Sequence, residues 1–156
     1  IVLFGAELSF AYQNIDNYEL EMDTDTVSHN NKRILALCVM QYIAKNLQKG
    51  NPPMTALQIA EELRVSVRMV RMVTDALIDC GILVETLTDD VKENAYLPTY
   101  DIHQITVSFV LDKLDNRGKG IITQDTTVDF TSISNILDKL ASDLETNDGN
   151  KLLIEI

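Results

Sequence analysis

The hydrophobic period of the chain changes at a single glycine, and that change restricts the fold more than any other feature. Before Gly81 the apolar residues recur at helical spacing; after it they follow the two-residue rhythm of a strand. Ile34, Leu35, Leu37, Cys38, Ile43, Ala44 and Leu47 predict a helix over about 30–48, stopped by Gly50-Asn51-Pro52-Pro53. Thr55 offers an N-cap, and Gln58 three residues on completes a capping box. Leu57, Ile59, Ala60 and Leu63 then form a short amphipathic helix, which breaks at Arg64-Val65-Ser66. Ser66 caps a third helix that runs to about Cys80 and ends at Gly81. Ile82 to Leu87 is rich in β-branched and aliphatic residues, and Thr88-Asp89-Asp90 has turn chemistry. Ala95-Tyr96-Leu97 returns as a second strand, and Pro98 bars its continuation as a central one.

Helix, helix, tight turn, helix, hairpin is the winged-helix order. The expected fold class is mainly α (α+β): a winged helix-turn-helix with a two-stranded wing over about 30–117. Beyond the wing, Thr106 opens a helix on Val107, Phe109, Val110, Leu111 and Leu114, ended by Gly118 and Gly120. A last amphipathic helix over about 131–146 uses Ile133, Ile136, Leu137, Leu140 and Leu144. Leu152-Leu153-Ile154 reads as a short strand-like tail whose edge could recruit a partner. The expected organisation is a membrane-proximal segment at 1–15, an acidic connector at 16–29, the winged helix at 30–117, and a C-terminal helix and tail at 118–156.

Charge narrows the function. The chain carries 13 Lys and Arg against 24 Asp and Glu, a formal net of -11. A general nucleic-acid coat or a binder of anionic membranes needs the opposite sign. The acids are unevenly placed: residues 1–31 have no Lys or Arg, 32–100 balance, and 101–156 are again acidic. Cys38 and Cys80 make no disulfide framework, fall on apolar helical faces, and fit a reducing compartment.

No constellation points to catalysis, a cofactor or a metal. His29 and His103 stand alone, without metal-ligand spacing. His29-Asn30-Asn31 sits where a helix begins and reads as capping, and His103 lies in a solvated loop. Arg117-Gly118-Lys119-Gly120 follows a helix C-terminus, whose dipole repels phosphate, and reads as a flexible cap.

The helix at 67–80 carries the sharper question. Val70, Val73 and Leu77 make one face, with Met69 and Cys80 at its edges; Arg68, Arg71, Met72, Asp75 and Asp79 make the other. Its charges oppose the helix dipole, arginines first and aspartates last. Arg64, Ser66, Arg68 and Arg71 are therefore the candidate DNA-contacting residues, at the end of the helix that meets base edges. Against them stand a wing tip with Asp89, Asp90 and Glu93 beside a single Lys92, and an Arg71–Asp75 pairing at helical spacing.

Two resemblances add to this. Ile1-Val2-Leu3-Phe4-Gly5-Ala6-Glu7-Leu8-Ser9-Phe10-Ala11-Tyr12-Gln13-Asn14 resembles the end of the last transmembrane helix in the YihY/BrkB family of membrane proteins, formerly labelled ribonuclease BN. Residues 32–117 resemble the winged-helix extension of some members. This resemblance implies an inner-membrane parent of about six helices, with the present region cytoplasmic; Lys32 and Arg33 agree with a positive-inside flank. No nuclease pattern accompanies the old label. Tyr96 to Leu114, with Asp101, Ile105-Thr106 and Val110-Leu111, is similar to the iron–sulfur winged-helix repressors. Those repressors hold their cluster through three cysteines beyond the wing, which this chain lacks, so no cluster is carried over. The expectation is a non-catalytic cytoplasmic regulatory or protein-interaction domain of an inner-membrane protein. The alternative is a membrane-tethered DNA-binding regulator. Self-association as a homodimer is expected, through the apolar N-terminus, the tail, or the helices beyond the wing.

Overall fold

The structure is a computed structural model that describes residues 27–88, 93–118 and 130–156. Its elements run α1 (His29–Gln48), β1 (Met54–Thr55), α2 (Ala56–Leu63), α3 (Val67–Asp79), β2 (Leu83–Thr86), β3 (Ala95–Pro98), α4 (Val107–Asp115) and α5 (Phe130–Glu145), followed by a 3-10 turn at Leu153–Glu155. The membrane-proximal segment, nearly all of the connector and the wing tip at Asp89, Asp90 and Lys92 lie outside the described residues.

Local chemistry accounts for the helix boundaries. Ser28, not His29, caps α1: its hydroxyl accepts from the Asn31 amide at 3.2 Å, and His29 is the first helical residue. The serine oxygen reaches the third amide without bending the backbone, whereas the imidazole is too bulky for that role. The capping box at α2 is complete, with Gln58 N–H donating to Thr55 Oγ1 at 3.3 Å and Thr55 N–H to Gln58 Oε1 at 3.0 Å. Thr106 caps α4 through the Phe109 amide.

Three helices end in the same doubly bonded turn. After α1, Gly50 and Asn51 donate to Leu47 and Asn46; after α3, Gly81 and Ile82 donate to Ile78 and Leu77. After α2, Arg64 and Val65 donate to Glu61 and Ala60. Each turn places one residue at positive φ: Gly50 at 73°, Gly81 at 74° and Arg64 at 55°. Two of these residues are glycine, which needs no Cβ clearance there; the third is arginine.

Periodicity assigned the core only in part: Leu35, Ile43 and Ala44 of α1 are buried as expected, whereas Ile34, Leu47 and Leu57 are exposed and Val39 and Met40, which it did not name, fill the core instead. Val39, Met40 and Ile43 of α1, Ile59 of α2, and Val70, Val73 and Leu77 of α3 are buried together with Ile82, Tyr96, Ile105 and Val110. Thr74, the buried polar residue of this core, donates its hydroxyl to the Arg71 carbonyl at 3.0 Å and so carries no unmet hydrogen bond. Leu77→Ala should cost about 2–5 kcal/mol, the usual toll for an aliphatic side chain removed from a packed site, read as a fall in the chemical denaturation midpoint.

The wing hairpin β2–β3 forms as expected, with Glu85 opposite Tyr96 and Leu83 opposite Pro98. A third strand joins it. Met54 and Thr55 pair with Tyr96 and Ala95, giving an antiparallel sheet in the order β1-β3-β2. Pro98 is compatible with this central strand because β1 reaches only Ala95 and Tyr96, leaving the far side of Pro98 without a ladder to break.

The tail differs from expectation. Leu152-Leu153-Ile154 is not a free edge strand: Leu152 makes an isolated bridge to Thr106, and Leu153 to Glu155 turn in a 3-10 helix. Leu153 is 2% exposed, and its amide donates to the Ile105 carbonyl at 3.0 Å. Burying one leucine in the core outweighs extending a strand into water. Around α4, the Tyr100 and Phe109 rings meet edge-on at 5.0 Å, and the Lys113 ammonium lies 5.7 Å from the Tyr100 centroid.

Candidate nucleic-acid interface

The turn between α2 and α3 brings Arg64, Ser66, Arg68 and Arg71 to one end of α3. Arg64 leaves α2 in the left-handed region, at φ 55° and ψ 45°. An L-residue pays roughly 1–2 kcal/mol for that conformation. Ser66 is committed as the α3 cap, its oxygen accepting from the Met69 amide at 3.2 Å, while its O–H remains able to donate outward. Ser66→Ala should lower stability by about 1 kcal/mol in thermal or chemical unfolding, since an amide of the first turn then loses its acceptor.

Arg64, Arg68 and Arg71 are all exposed. Arg64 and Arg68 have no ion-pair partner among the described residues. Arg71 pairs not with Asp75 but with Glu93, its Nη2 lying 3.5 Å from Oε1. The strand return places Glu93 beside α3, and an exposed pair of that length contributes about 0–1 kcal/mol. The bond ties the helix to the wing and leaves the arginine available to a stronger anion. Met72, assigned by periodicity to the open face, is half-buried against the core. The open face of α3 is therefore Arg68 and Arg71 near its start and Asp75 and Asp79 near its end. Asp79 lies 3.9 Å from the Arg117 guanidinium, which partly offsets its charge.

The remaining sequence candidates lie elsewhere. His103 is exposed and bound to Asp101: its backbone amide and its Nδ1 each lie 2.9 Å from the same carboxylate oxygen. The amide first, then the ring, holds the Asp101 carboxyl below its ordinary range. This is a turn-closing arrangement between strand and helix. Cys38 and Cys80 are free and half-buried, and burial pushes the Cys80 thiol up, which favours its unreactive protonated form.

Sequence reasoning named the apolar stripe of α5 and expected the helices beyond the wing to self-associate; what it did not give is how far that stripe stands exposed. It assigned Ile133, Ile136, Leu137, Leu140 and Leu144 as an apolar side, but every residue of this helix is exposed, and Leu137 is 60% so. Periodicity shows that a helix has an apolar face; it cannot show whether the same chain covers it.

Solved structures share this architecture. IscR of T. potens matches with a TM-score of 0.51 at 16% identity, over 78% of this chain and 80% of that one. CymR (YrzC), the global cysteine regulator of B. subtilis, matches with a TM-score of 0.53 at 15% identity, over 83% and 94%. The fold is a winged helix. In a winged helix, α3 is the element that follows the turn, and β2–β3 is the wing beside it. No protein-family model matches the sequence, and no curated protein does. Among the described residues no helix is long and apolar enough to cross a membrane.

Proposed function

We propose that this domain is a DNA-binding regulator that presents the N-terminal end of α3 to duplex DNA. Arg64 carries the reading. Where α1 and α3 end on glycine, α2 ends on an arginine held at positive φ, exposed and unpaired among the described residues. A residue kept against its conformational preference, on the turn that leads into a recognition helix, fits a contact rather than a structural need. The arginines Arg68 and Arg71 extend the same surface, and CymR, whose fold this domain resembles, is a regulator.

Arg64→Gly separates the two roles. It should stabilise the fold by about 1 kcal/mol, because the strain disappears, and weaken duplex binding at the same time. Arg68→Ala should weaken binding by about 1–3 kcal/mol if it reads a base edge. Fluorescence anisotropy with labelled duplexes at low salt is the test. Failure of the intact chain to bind any duplex, or indifference to Arg64, Arg68 and Arg71, would contradict the proposal.

The acid excess expected to oppose DNA remains a constraint: binding should be confined to the arginine end and be weak unless two domains act together. We therefore include in the proposal a homodimer that pairs α5 across a two-fold axis. The membrane context is a further part of it. It is supported by the likeness of residues 1–14 to the last transmembrane helix of the YihY/BrkB family, and it would tether the domain at the cytoplasmic face of an inner membrane. Fractionation of the native protein tests this part alone: recovery from washed membranes is expected, and full recovery in the soluble fraction would contradict it.

A further inference from the structure

A second surface of the domain carries positive charge. A cleft of about 370 Å³ opens between the first turns of α1, the inner side of α3 and the end of α4. Its rim holds His29, Lys32, Arg33 and Arg117, and its floor includes Met72 and Leu114. In a chain with 24 acids and 13 Lys and Arg, three of those cations meet here, and among the described residues no carboxylate lines the space.

The cations are only loosely engaged. Arg33 lies 3.5 Å from Asp115 and Arg117 lies 3.9 Å from Asp79, both long pairs at the surface that a better-placed anion can displace. Lys32 and His29 have no ion-pair partner among the described residues. Arg33 and Arg117 can offer planar forks to a carboxylate or phosphate, and Lys32 a compact point charge. The thioether of Met72 adapts to irregular apolar shapes, and Leu114 extends that floor.

We propose that this cleft binds a small anion with a short apolar body, its carboxylate or phosphate held by Lys32, Arg33 and Arg117 and its apolar part laid on Met72 and Leu114. Binding itself does not depend on the DNA reading. Met72 belongs to the same helix as Arg68 and Arg71, so an occupant bears directly on the element proposed to meet DNA.

The test uses the full chain, labelled with nitrogen-15 and titrated with hexyl phosphate, hexanoate and neutral hexanol. Both anions should give saturable shifts at the amides of Ala36, Met72, Ala76 and Leu114 below about 10 mM, and hexanol should bind at least about fivefold more weakly. The tighter of the two anions identifies the head group. Lys32→Glu should weaken both anions about fivefold or more. Because Lys32 is half-buried, Arg117→Glu, at an exposed position after α4, repeats the test if the first variant does not fold. Absence of shifts at these amides, equal binding of hexanol, or a loss smaller than about fivefold in a folded variant would overturn the site.

Discussion

Replacing Leu153 by alanine should destabilise the domain by about 2–4 kcal/mol. Leu153 is 2% exposed, and its amide is bonded to Ile105, which is itself fully buried. Truncation leaves a space between α1 and the segment entering α4, and the tightly packed surroundings can close it only in part. The neighbouring Ile156 is 56% exposed, and Ile156→Ala should change stability by no more than about 0.5 kcal/mol. Urea denaturation of the two variants against the parent checks both values. Equal midpoints for all three would mean that the tail is not packed as described.

The second large effect concerns α5. Ile133, Ile136, Leu137, Leu140 and Leu144 are each more than half exposed and lie along one side of the helix. Covering half of such a side chain is worth about 1 kcal/mol, and a two-fold axis uses every contact twice. Leu137→Asp combined with Leu140→Asp places four carboxylates across the proposed dimer. It should weaken association by at least about a hundredfold while leaving the winged helix folded, since neither side chain enters the core. Sedimentation velocity at tens of micromolar is the measurement. A parent chain that is already monomeric, or a double variant that remains dimeric, would remove α5 from the account.

The winged helix was legible because its boundaries rest on local chemistry. The Thr55 and Gln58 box, the Ser66 cap and Gly81 act within a few residues, and periodicity assigned Val70, Val73 and Leu77 to the core as the structure has them. Several departures depend on distant partners. A strand as short as Met54-Thr55 has no period to read and exists because Tyr96 and Ala95 offer it a ladder. Arg71 could reach Asp75 within its own helix, but the hairpin brings Glu93 to it from 22 residues away. Leu152-Leu153-Ile154 has the composition of a strand and becomes a packed turn because Ile105 and α1 wait for it. At the candidate site, the residue types were visible in the sequence; the left-handed conformation of Arg64 was not, since no propensity places arginine there.

The slope of duplex affinity against salt tests the central claim most directly. Each phosphate neutralised by an arginine adds about 0.9 to the slope of log K against log salt. The intact chain should bind duplex DNA at about 50 mM salt and lose affinity steeply as salt rises, and a variant with Arg64, Arg68 and Arg71 all changed to alanine should bind far more weakly with a slope shallower by about 2–3. Binding with the same slope in both proteins, or no binding by the intact chain even at low salt, would contradict the account.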